Sequence, residues 1–204
     1  DRLASDFDLD LGEWVLRVVE KCRGGGYTLG VDWERREPHD LLEPLLAGQL
    51  DVVFSFEQAL EDFKQSDALE YCCIAQAQAV LVVREGHPLA VPGAKAQDFE
   101  GVPCFISARM TPLNQKRLPF EEEWAEYGLH FRDVHVVSNR ESMQTMVEMG
   151  RGVTISTSMD RFPHNPHILS YPIDRSQAVH CIWRKGETRP QMRAFLTAVR
   201  ESLA

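Results

Sequence analysis

Residues Val80 to Ala90, reading VLVVREGHPLA, constrain the fold more than any other stretch. Val80, Leu81, Val82 and Val83 form an unbroken apolar run of the kind found in a strand covered on both faces. Gly86 and Pro88 then prevent the strand from continuing, because proline cannot donate to a ladder and glycine weakens one. The run therefore predicts a buried strand with an abrupt end.

The segments before it alternate. Asp10 and Glu13 have capping-box spacing, and Leu11, Trp14, Val15, Val18, Val19 and Cys22 follow on one helical face. Gly24, Gly25 and Gly26 stop that helix, and Tyr27 to Trp33 reads as a short strand. Asp40 to Ala47 reads as a second helix, with Asp40 and Glu43 again at capping-box spacing. Pro44 lacks an N–H and implies a tightened first turn. Gly48 ends this helix, and Leu50 to Phe56 (LDVVFSF) is a buried strand. A first strand is expected at or before Arg2-Leu3-Ala4. Helix–strand alternation with short connections argues for parallel α/β units.

Beyond Ala90, the pattern predicts a loop over Pro92–Gln97, a strand over Val102–Ser107, and a helix carrying Phe120, Trp124 and Tyr127 up to Gly128. A strand over Asp133–Val137 leads to an S-x-x-E box at Ser138 and Glu141, followed by a helix bearing Met143, Met146 and Val147. Gly152 to Thr157 reads as a strand. The last helix starts near Thr188–Gln191, with Met192, Phe195, Leu196, Val199 and Leu203 on its apolar stripe. The strand Ala79–Val83 sits between two α/β sets, and a second crossing is expected near Thr157 to Pro163.

The 204 residues are 44% hydrophobic and 26% charged, as in ordinary globular chains. No run approaches the ~18 apolar residues of a membrane span, and no basic-then-apolar leader opens the chain. A chain beginning at Asp1 is expected to be a fragment or a processed product. The net charge of −9 disfavours contact with a phosphate backbone by this segment itself. Five cysteines are scattered at 22, 72, 73, 104 and 181, an odd number mostly within apolar stretches. This favours a reducing cytoplasm over a secreted disulfide framework.

Three segments carry a resemblance to a known family. LLAGQLDVVFSF (Leu45–Phe56), VLVVREGHPLA (Val80–Ala90) and MVEMGRGVTISTSM (Met146–Met159) are similar, in order and spacing, to the effector-binding domain of LysR-type transcriptional regulators. The closing PQMRAFLTAVRESLA resembles that family's C-terminal helix. The short first strand and Thr157-Ser158, where proline is common, depart from the pattern. The resemblance implies an α/β fold of two Rossmann-like lobes joined by two crossover strands, periplasmic-binding-protein type II-like. Lobe I is expected over residues 1–78, lobe II over 79–160, and the return to lobe I over 161–204. It also implies a cleft for a small effector, homodimers or tetramers, and DNA contact only through a winged helix-turn-helix absent from this chain. The competing expectation is a periplasmic solute-binding protein of an uptake transporter.

Ligands of open α/β sheets bind beyond the carboxyl ends of strands, where helix N-termini favour anions. That rule selects Ser5 and Asp6, Ser55 and Phe56, Ser107, Arg109 and Thr111, and Ser138 and Asn139 as effector contacts. Arg109 suits a carboxylate, with a surface or dimer salt bridge as the alternative, and the expected effector is a small organic anion. Ser138 has an N-cap reading, Ser55 a turn-bonding one, and Asp51 is expected to position the start of its strand.

No nucleophile elbow, H-E-x-x-H or P-loop motif is present, and no catalysis or cofactor is expected. Cys72 and Cys73 are adjacent and cannot form a C-x-x-C site; core packing is their expected role. His164 and His167 lack a local third metal partner. Glu121-Glu122-Glu123 reads as a solvated helix face, and Met143, Met146, Met149 and Met159 as core at helical spacing. His87 and Pro88 are expected to be structural.

Overall fold

The computed structural model describes residues 1–6, 9–57, 63–108 and 119–203. They form two compact units, Asp1–Ala77 with Gln177–Ala204 (unit 1) and Gln78–Ser176 (unit 2). In chain order the elements are β1 (Arg2–Asp6), α1 (Gly12–Gly24), β2 (Asp32–Arg36), α2 (Leu42–Leu46), β3 (Val52–Phe56) and β4 (Leu69–Arg84). They are followed by β5 (Cys104–Ser107), α3 (Phe120–Ala125), β6 (Val134–Val137), α4 (Arg140–Glu148), β7 (Val153–Thr157), β8 (Ile168–Arg184) and α5 (Pro190–Glu201).

In unit 1 the strand order is β2-β1-β3-β8, followed by the first half of β4. β1 is parallel to β2 and β3, each reached through a helix, whereas β8 runs antiparallel to β3. Ala4, Val53 and Ile182 lie level across three strands and pack on Leu41, Leu45, Leu50, Phe63 and Leu69. On the opposite face Val15, Val18, Val19 and Cys22 of α1 are buried at i, i+3, i+4 and i+7, and Trp14 meets Phe54 edge-on at 5.7 Å. Burying one such aliphatic side chain contributes about 1.5–3 kcal/mol.

In unit 2 the order is β4-β7-β5-β6, with β5 parallel to β6 and β7, and β7 antiparallel to β4. Its core gathers Leu81, Val83, Phe99, Cys104, Ile106, Phe120, Trp124, Leu129, Val153 and Ile155. Arg175 is buried in this unit, with its guanidinium 4.7 Å from the Trp124 ring centre, 5.0 Å from that of Tyr127 and 2.9 Å from Glu123. Glu123 therefore departs from the solvated face expected for the acidic run, while Glu121 and Glu122 are exposed.

Several local expectations are corrected. Neither D-x-x-E box forms. The α1 N-cap is the buried Leu11, which leaves Asp10 one residue too early to cap. Pro38–Asp40 make a 3₁₀ turn before α2, and Pro44 is the third residue of α2, where an N–H has no intrahelical partner anyway. The Asn139 side chain, not that of Ser138, caps α4 by accepting from the Ser142 N–H at 2.8 Å. β2 lies at Asp32–Arg36 rather than Tyr27–Trp33. Between α4 and β7, a Cβ on Gly152 would stand 2.0 Å from the Pro103 carbonyl oxygen, so only glycine fits.

Asp51 positions the start of β3, as expected. It accepts from the Arg2 N–H at 2.8 Å and from Arg189 and Arg184 at 2.9 and 3.3 Å. Burial alone would raise its pKa, but these donors outweigh that effect and hold it below the usual carboxylate value.

Candidate functional site

At the carboxyl ends of β1 and β3 the backbone alternation sorts side chains onto two faces. Ser5 is level with Phe54 and shares its face. Asp6 and Ser55 therefore point to the other face, where Ser55 is paired in register with His180 of β8. Ser5 and Asp6 are the last two residues of β1 rather than residues beyond it. Both are buried, as are Ser55 and Phe56, and Phe56 stands in register with Val179.

The Ser5 and Ser55 hydroxyls and both ring nitrogens of His180 are buried without a hydrogen-bond partner. His180 is 7% exposed and Ser55 0%. Buried polar groups are satisfied in the great majority of cases, so adjacent orphans call for an explanation. Tyr71 packs edge-on against the imidazole at 5.6 Å. Burial lowers the pKa of His180; Glu57 opposes this and Lys64 adds to it. Neutral imidazole offers one donor and one acceptor, and a hydroxyl offers both. Ser55 and His180 do not hydrogen-bond each other.

In unit 2, Ser107 ends β5 and is buried. Ser138 and Asn139 are exposed, and Asn139 is engaged in its cap. The first turn of α4 instead presents Arg140, which donates to the buried Asp160; the Ser156 hydroxyl donates to the same carboxylate at 2.7 Å. Arg109 and Thr111 lie outside the described residues.

Sequence reasoning missed His180, Arg140 and Asp160. His180 lies in the run Ala178–Trp183, whose apolar residues flanking one histidine were the available signal. Among the described residues no group of three His, Cys, Asp or Glu side chains could hold a metal ion. His164 instead contacts the Ser158 carbonyl at 2.9 Å, and His167 contacts Glu85 at 2.6 Å.

Comparison with solved structures places the fold. The effector-binding domain of QuiR in complex with shikimate superposes with a TM-score of 0.73 at 16% identity, covering 98% of this chain and 95% of that one. The BenM effector-binding domain with its effector benzoate gives 0.71 at 15% identity, covering 98% and 90%. Full-length CbnR complexed with its target DNA gives 0.73 at 22% identity, covering 99% of this chain and 70% of that one. These likenesses establish the α/β, periplasmic-binding-protein type II-like fold of such domains. No curated protein sequence matches the chain. The family model described as the LysR substrate binding domain matches residues 12–204, and the chain belongs to that family.

Proposed function

We propose that this chain is the effector-sensing and oligomerisation domain of a LysR-type transcriptional regulator, working in the cytoplasm as a homodimer or tetramer. DNA contact would fall to a helix-turn-helix outside these residues. The observation that carries the reading is the family match over residues 12–204, which favours a regulator over a solute-binding protein of a transporter. No helix among the described residues is long and apolar enough to cross a membrane.

The proposed effector is a small organic anion. In unit 1, the orphaned Ser55 and His180 are suited to its uncharged hydrogen-bonding groups, because a neutral imidazole supplies no charge. Arg109 is the proposed carboxylate contact, with Thr111 beside it in sequence. Ser5, Asp6, Phe56 and Ser107 are proposed as lining. Ser138 and Asn139 remain weaker proposals, given the capping role of Asn139. The domain acts by binding rather than catalysis, and an effector shifts the regulator only through unequal affinity for its two states.

A thermal-shift screen of small carboxylic acids, with benzoate and shikimate as first probes, tests this. Ligand at about 100 times its Kd adds about 2.7 kcal/mol, which at about 2–4 °C per kcal/mol raises Tm visibly. A panel of small acids that leaves Tm unmoved, while bases or neutral sugars raise it, would overturn the anion reading.

A further inference from the structure

Two cysteines on different strands of unit 1 face each other. The Lys185 N–H donates to the Ala68 carbonyl at 2.8 Å, and Trp183 Nε1 donates to Glu70 at 2.9 Å. β8 is thus antiparallel to the first half of β4, and two further residues along each strand bring Cys72 level with Cys181. Residues level across an antiparallel ladder have Cα atoms about 4.5–5.5 Å apart, within the range of about 4.4–6.8 Å that a disulfide spans. Both thiols are free in this structure, and the Cys181 thiol is near enough to favour the Cys72 thiolate.

The two sulfurs differ in character. Cys181 is fully buried, and burial pushes its thiol far up. Cys72 is half-buried; the nearby Cys181 thiol, aided by Arg200 and opposed by desolvation, brings its thiol down to about 7. A thiolate that water can reach, beside a protonated resolving thiol, is the arrangement reversible thiol oxidation needs. The expectation that Cys72 and Cys73 are core residues is corrected: Cys73 is exposed and points to the other face of the strand.

We propose that Cys72 and Cys181 form a peroxide-responsive dithiol that closes to a cross-strand disulfide between β4 and β8. The Cys72 thiolate attacks one oxygen of hydrogen peroxide. An S–O bond forms, the O–O bond breaks, and the departing hydroxide takes up a proton as water. Cys72 is now a sulfenic acid. The Cys181 sulfur attacks it, the S–S bond forms, and the hydroxyl leaves with the Cys181 proton as a second water. Two thiols lose two electrons and two protons, and one peroxide becomes two waters. A thiol reductant reverses the change, as for other redox-sensing disulfides in reducing compartments. Closure would lock the register of two strands that each continue from unit 1 into unit 2.

The test uses the whole chain as Cys73→Ser, which removes the exposed neighbour and leaves four cysteines of the original five. After treatment with a small excess of hydrogen peroxide, the thiol count in denaturant should fall from four to two, and non-reducing peptide mapping should recover a Cys72–Cys181 link. With Cys181→Ser added, dimedone should label Cys72 and no crosslink should appear. With Cys72→Ser added instead, Cys181 should stay reduced. Alkylation of Cys72 should rise with pH around an inflection near 7. A count that stays at four, a link joining other cysteines, or undiminished Cys181 oxidation without Cys72 would each overturn the proposal.

Discussion

His180 of β8 stands directly across the ladder from Ser55 of β3, and neither side chain has a hydrogen-bond partner. A buried hydroxyl without a partner carries its desolvation cost with nothing to offset it. Ser55→Ala should therefore leave the free protein as stable as before, or raise its unfolding free energy by about 1 kcal/mol. The same change should weaken effector binding by about 0.5–1.5 kcal/mol, roughly 2–10-fold. Urea unfolding and calorimetric titration separate the two effects. A Ser55→Ala protein that loses stability and keeps its affinity would show that the hydroxyl serves the fold.

Arg109→Ala should weaken binding of any acid found in the screen by about 1–3 kcal/mol, roughly 5–150-fold, as for a lost charge-assisted hydrogen bond. The loss should shrink for an amide or ester of the same compound. Equal affinity of the variant for the acid, measured by calorimetry, sinks the assignment.

Asp51 links the starts of β1 and β3 to Arg184 and Arg189. Asp51→Asn should cost about 2–3 kcal/mol, below the value for a fully buried pair because both arginines keep some contact with water. The folded pKa of Asp51 is lowered, so its contribution is complete above the unfolded carboxylate value and is lost as pH falls through the folded one. Unfolding free energies measured between pH 7 and 3 should fall less steeply in the variant at the acid end. Identical pH profiles would contradict this.

Gly152→Ala should destabilise by more than about 3 kcal/mol or prevent folding of unit 2, because the clash is with the Pro103 backbone rather than with a movable side chain. Gly12→Ala, where a Cβ meets open space, is the matched control, and its urea midpoint should stay close to that of the parent.

What could be read in advance divides along physical lines. Val80–Val83 were legible as a strand because both faces are covered, yet they are only the inner part of a 16-residue β4. Its outer part, Leu69–Gln78, mixes exposed, half-buried and buried positions and carries no clean period. β8 went unread for the same reason, since Pro172, Asp174 and Arg175 interrupt any apolar pattern, and the buried Arg175 is satisfied by Trp124, Tyr127 and Glu123, far from it in sequence. β2 was displaced because it is an edge strand in which four of five residues are charged, and its one strand partner is β1. The capping boxes failed where a buried leucine or a 3₁₀ turn set the helix start. At the candidate site, the strand-end rule pointed to Ser55. His180 came from an unread strand, and only register brings the two together.

Unit 2 is a single uninterrupted piece of chain, whereas unit 1 is made from both ends. During synthesis every strand of unit 2 has left the ribosome before the part of β8 that pairs with β3. At ~5–20 residues per second, β3 waits on the order of ten seconds for that neighbour. Over that interval the apolar faces of β3 and α1 depend on something other than β8 and α5 for cover, and nascent unit 1 is where a chaperone would be needed. A stop codon that removes only α5 would thus harm the unit whose first strands are translated before unit 2.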